Sequence, residues 1–92
     1  MKLFERRSRP DPAAAARQII QIIAPYCQGG GRKPDPADLE RVKEIGRQLH
    51  SGGGIEAMRQ VCEMVRAEGR KVRAHYGPML EAFWDGVGDW QA

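Results

Sequence analysis

Along most of this chain the apolar residues recur at intervals of three and four, the spacing that places side chains on one face of an α-helix. Ile19, Ile22, Ile23 and Tyr26 follow it, with Ile20 and Cys27 on the flank. A first helix is therefore predicted over residues 12–27, with Asp11 as cap and Pro12 in the first turn. Pro25 limits its last turn, and Gly29-Gly30-Gly31 stops it.

Leu39, Val42, Ile45 and Leu49 make the apolar face of a second helix, predicted over residues 36–50. Asp35 precedes Pro36, and Asp38 falls in the first turn, where negative charge suits the helix dipole. Arg47 and His50 sit at the other end, where positive charge does. Gly46 lies on the apolar face itself. A glycine inside a helix costs about 1 kcal/mol relative to alanine, so its position predicts a close approach by another helix.

Ser51-Gly52-Gly53-Gly54 reads as a linker. Beyond it Ile55, Met58, Val61, Cys62 and Val65 share one face, and the count stays in phase through Val72 and Tyr76. This favours one helix over residues 54–76 capped by Gly77, with a break near Gly69 as the alternative. A fourth helix is predicted over residues 78–86, opened by Pro78 and ended by Gly86 and Gly88. Met79, Leu80, Phe83, Trp84 and Val87 form its apolar face. Sustained apolar–polar alternation is missing and β-branched residues are few, so strands are not expected.

The fold class is thus all-α: a compact array or bundle of about four helices. Residues 12–92 form its single domain. Residues 1–11 precede it as a flexible basic arm in which Lys2, Arg6, Arg7 and Arg9 outweigh Glu5 and Asp11. Leu3 and Phe4 are the only apolar anchors there.

Composition narrows the class. A length of 92 residues allows one domain, and 41% hydrophobic content is too high for a typical disordered chain. No apolar run approaches the roughly 18 residues of a membrane span, and no signal-peptide h-region follows Met1. A cytoplasmic protein with reduced thiols is expected, with no membrane partner. The formal charge of +3 averages two unlike parts. Residues 78–92 carry three acids, Glu81, Asp85 and Asp89, and no Lys or Arg. Residues 1–77 hold all 15 basic groups.

Arg59, Arg66, Arg70 and Arg73 line one stripe of a continuous third helix, interrupted by Glu56 and Glu63 at helical spacing. Solvated intrahelical pairs are the plain reading. The sharper one lets this stripe meet the acidic stripe of the fourth helix, within one molecule or between two, as complementary surfaces that set register. The same basic groups, with the arm and Arg32-Lys33, raise contact with nucleic-acid phosphates as an alternative. Acids interleaved on the second and third helices weigh against it, and no helix presents a clean recognition face.

Few residues suggest chemistry. Cys27, Cys62, His50 and His75 lack zinc-ligand spacing, and Cys62 on an apolar face reads as core. Asp85 and Asp89 around Gly86 do not make a calcium loop, because the spacing is wrong and the sequence ends before a twelfth-position glutamate. Neither glycine run matches a phosphate loop. No cofactor, metal or small-molecule substrate is expected, nor an enzyme.

The most distinctive segment is Leu80-Glu81-Ala82-Phe83-Trp84-Asp85-Gly86-Val87-Gly88-Asp89-Trp90. Its structural reading puts Trp84 in the core and folds Trp90 back over the fourth helix. Its functional reading makes Trp90 an exposed aromatic anchor. The segment resembles the ending of a set of small bacterial helical proteins of no assigned activity, which close on Trp-Asp-Gly-hydrophobic-Gly-acidic-Trp after a Leu-Glu pair. The likeness extends back through Met58, Gly53-Gly54 and Ile45-Gly46, over residues 37–90. It implies an all-helical fold and transfers no catalytic residue. The expected function is a small non-enzymatic domain for self-association or protein binding. Phe83, Trp84, Trp90, Asp85, Asp89 and the four arginines are its candidate contact residues.

Overall fold

A computed structural model describes residues 11–27, 33–88 and 90. Helix α1 runs Pro12–Ile23, α2 runs Pro36–Val72 and α3 runs Tyr76–Trp84, with a 3₁₀ turn at Ala24–Cys27. Among the described residues there is no strand. The described residues are all-helical as expected, but they form three α-helices rather than four. The proposed arm and the Gly29–Gly31 stop lie outside the described residues.

The missing boundary is at the second glycine run. Residues 51–53 are helical, and one residue, Gly54 at φ 72° and ψ −165°, stands between two helical halves of α2. That conformation is open essentially to glycine alone. It bends the helix sharply, as two contacts with α3 show. Trp84 reaches Val42 in the first half of α2, and Glu81 reaches Arg66 in the second. Glu81 and Trp84 are about 4.5 Å apart along α3, whereas Val42 and Arg66 would be about 36 Å apart on a straight helix at ~1.5 Å per residue. Side chains cannot span that difference, so the halves of α2 fold back toward each other around α3.

The ends of the helices also moved. α1 gives way to a 3₁₀ turn after Ile23 because Pro25 has no N–H to continue the ladder. Asp11 stands at the N-cap of α1 without a side-chain cap bond, whereas Asp35 caps α2, accepting from the Ala37 N–H at 2.9 Å. α2 passes through Gly69 and stops at Val72, short of the Tyr76 that its apolar phase suggested. The stop is made by Arg73 in the left-handed region at φ 57°, where the Ala74 N–H returns to the Gly69 carbonyl at 2.9 Å. This frees Tyr76 and Gly77 to begin α3, two residues earlier than expected, and leaves Val72 60% exposed rather than on the buried face. α3 ends at Trp84 and not Gly86.

One core joins all these elements. Ile19, Ile22, Ile23 and Tyr26 meet Val42, Leu49, Met58, Val61, Cys62 and Val65, with Leu80, Phe83, Trp84 and Val87 closing it. Apart from Val72, the apolar faces that periodicity assigned are therefore buried or packed against the core. α1 runs parallel to the second half of α2. Pro12 borders the same hollow as Gly53, Glu56 and Gln60, and Cys27 at the far end reaches the His75 carbonyl at 3.9 Å. The radius of gyration, 13.2 Å, is near the ~12 Å of a compact chain of this length.

Candidate functional site

Two of the three C-terminal aromatic residues are inside the molecule. Trp84 is fully buried and Phe83 is 2% exposed, so neither can touch a partner while α3 is docked. The indole of Trp84 lies on Gly46, where an added Cβ would come within 2.6 Å of Nε1. Its N–H donates to the Val42 carbonyl one turn earlier, at 2.9 Å. This is the close approach that Gly46 predicts, and it satisfies a donor that would otherwise be buried at a cost.

Trp90 folds back on Trp84. Beyond α3, the Val87 N–H bonds the Trp84 carbonyl at 2.8 Å, and the Trp90 N–H bonds the Val87 carbonyl at 2.9 Å. The two indoles then meet edge to face, with centroids 5.2 Å apart and planes at 75°. That is a favourable aromatic geometry. Trp90 is half-buried and packs against the core.

Among the described residues the two charged stripes meet at one point. Arg66, on the second half of α2, donates to Glu81 of α3 at 2.6 Å and also approaches Glu63 at 3.6 Å. The Glu81 bond raises the Arg66 pKa above its already high value. Arg59 pairs with Glu56 at 2.9 Å on its own helix. Arg70 and Arg73 are exposed and have no carboxylate partner among the described residues. Asp85 is exposed at the α3 terminus, where its carbonyl accepts from the Lys43 ammonium at 3.3 Å. Asp89 lies outside the described residues. Among the described residues the stripes thus meet through Arg66 and Glu81, while Arg59, Arg70, Arg73 and Asp85 stay exposed.

Burial disfavours the thiolate form of both cysteines. Burial pushes the Cys62 pKa up, against the opposing pull of Arg66, whose guanidinium lies 3.8 Å from Sγ. Burial raises Cys27 as well. Among the described residues no three His, Cys, Asp or Glu side chains gather to hold a metal ion. No helix there is long and apolar enough to cross a membrane.

A second polar cluster is structural. The Tyr26 hydroxyl donates to the Asp38 carboxylate at 2.6 Å and accepts from the Asp35 N–H at 3.0 Å. It pins the 3₁₀ turn to the first turn of α2. Donation to Asp38 is the main cause of a raised Tyr26 pKa.

The surface feature that sequence reasoning missed is a groove between α1 and the second half of α2. It has a volume of about 640 Å³ and is open to solvent. Ala13, Ala16 and Ile20 line one wall and Met64 and Ala67 the other, with Arg17 and Glu68 on the opposing rims. The apolar periodicity of α1 places Ile20 only on its flank. Alanines give no periodic signal strong enough to mark a surface, and the groove needs both helices side by side. No protein-family pattern, curated protein or solved structure matches this chain.

Proposed function

We propose that this chain is a non-enzymatic helical domain that works by protein association, and that the α1–α2 groove is its contact surface. One observation carries the reading. The groove is a concave surface lined by alanine, isoleucine and methionine in a molecule whose large apolar residues are otherwise mostly in one core. An apolar recess rimmed by charge is the common form of a helix-docking site. Of the aromatic residues that the sequence offered for this role, Phe83 and Trp84 are buried and Trp90 is partly exposed, so the groove presents the larger accessible apolar surface.

Photo-crosslinking tests the proposal. A photoreactive residue replacing Gln21, which is exposed at the groove, should give discrete protein adducts in the cells that make this chain. The same residue replacing Arg41, exposed on α2, serves as control. An adduct pattern no different from the control would overturn the reading.

The second reading, nucleic-acid contact, draws on the exposed Arg70 and Arg73 at the end of α2. Its support is thinner than the sequence implied, because Arg59 and Arg66 already have carboxylate partners. Phosphate binding would show as a strong salt dependence of affinity for random duplex DNA. No binding at low salt removes this reading.

A further inference from the structure

We infer that the occupant of the α1–α2 groove is the same groove of a second copy of this chain, paired about a two-fold axis that runs along it. The inference rests on the association reading above and commits it to one partner.

The argument is the placement of charge. Arg17 rises from the α1 wall and Glu68 from the α2 wall of the same groove. Arg17 is exposed and has no carboxylate partner among the described residues. Among the described residues Glu68 pairs with Lys71 alone, an exposed i,i+3 pair at 3.0 Å, which is a weak competitor for it. A two-fold axis along the groove exchanges its walls, so α1 of one copy lies over α2 of the other. Arg17 then faces the second copy's Glu68, and Glu68 faces the second copy's Arg17. Two opposite-charge contacts form at once, on either side of an apolar strip. The other isologous arrangement, with the axis across the groove, sets α1 against α1 and gains no such pair. Closed two-fold pairing of one self-complementary patch is also the commonest oligomer symmetry.

The strip between the rims fits close packing. Ala13, Ala16 and Ala67 are small, so helix backbones can approach, while Ile20 and Met64 project between them. Both larger side chains are only partly buried in the single chain and pack against its core from outside. Pairing would finish their burial.

Charge reversal supplies the test. Sedimentation of the full chain from low to high micromolar concentration should show a rise from monomer to dimer mass. Arg17→Glu and Glu68→Arg should each weaken the dimer at least tenfold, because each sets like charges opposite one another twice. Mixing the two variants should restore a dimer, since every contact then joins opposite charges. Both positions are exposed, and unchanged thermal melts of the dilute variants would show that the fold is intact. A full chain that stays monomeric at high micromolar concentration overturns the inference. So does a dimer indifferent to both reversals, which would place association on another surface. A monomeric full chain that dimerises only after residues 1–10 are removed overturns it too, and assigns the groove to the chain's own N-terminal segment. If self-pairing fails while the Gln21 probe still captures a different protein, the association reading stands alone. If the probe captures nothing, that reading falls as well.

Discussion

The indole N–H of Trp84 bonds the carbonyl of Val42, 42 residues earlier in the chain, and the ring covers the bare backbone of Gly46 on the way. The bond ties the end of α3 to the first half of α2. A methyl group at residue 46 would sit 2.6 Å from Nε1. Gly46→Ala should therefore destabilise the fold by about 1–2 kcal/mol, since overpacking outweighs the ~1 kcal/mol that alanine gains in a helix. Trp84→Ala should cost about 3–5 kcal/mol, and Trp90→Ala clearly less, because Trp90 covers the core from outside. Urea unfolding measures all three. In a Trp84→Phe background, with a smaller ring, Gly46→Ala should cost less than it does alone. Equal costs would mean that the contact does not control this packing.

Gly54 carries the bend in α2 by conformation alone. Nothing lies within 4 Å of a Cβ added there, yet φ is +72°. Gly54→Ala should thus destabilise by about 1–3 kcal/mol through backbone strain without any clash. A D-alanine introduced by ligation tolerates positive φ and should recover most of the loss. The helical circular-dichroism signal at low temperature should stay level while the melting temperature falls. An unchanged melt for the L-alanine variant would show that the chain can turn elsewhere.

Arg73 ends α2 in a conformation that costs an L-residue about 1–2 kcal/mol, and its side chain is exposed. Arg73→Gly should stabilise the protein by about 1 kcal/mol. It should raise the urea midpoint with no change in slope. Arg73→Val, branched at Cβ, should lower the midpoint.

Tyr26 gives the fold an alkaline limit. Its pKa is raised in the folded state because its hydroxyl donates to Asp38, so the folded form holds the proton more tightly than the unfolded chain. The stability from this bond is complete below the usual tyrosine pKa of about 10. It is lost as pH climbs through the raised value, when phenolate would face carboxylate. Melting temperature should fall above about pH 10 in the native sequence. Tyr26→Phe should start lower at neutral pH and show less of that alkaline fall. The same fall in both proteins would assign it to other groups.

Periodicity alone marked most of the faces that are buried. Ile19, Ile22 and Ile23, then Val42 and Leu49, then Met58 through Val65, then Leu80 through Val87 were legible because burial leaves a trace every three or four residues. Asp35 with Pro36 fixed the start of α2, and Gly46 announced a close neighbour, since each carries a local cost that only one geometry offsets. The same logic misplaced Val72. An apolar phase says which side of a helix would face a core, but it does not say where the core ends. The fold-back at Arg73 decided that, in a residue whose type gives no warning of a left-handed conformation. The glycine run at 52–54 was visible as a boundary, but not that three of the residues around it stay helical and one torsion pair turns the chain. The complementary stripes suggested a meeting of Arg and Glu without naming Arg66 and Glu81. The groove was not legible at all. It exists because α1 lies parallel to one half of a bent α2, and that pairing is set by contacts between residues dozens of positions apart, which no local pattern of polarity encodes.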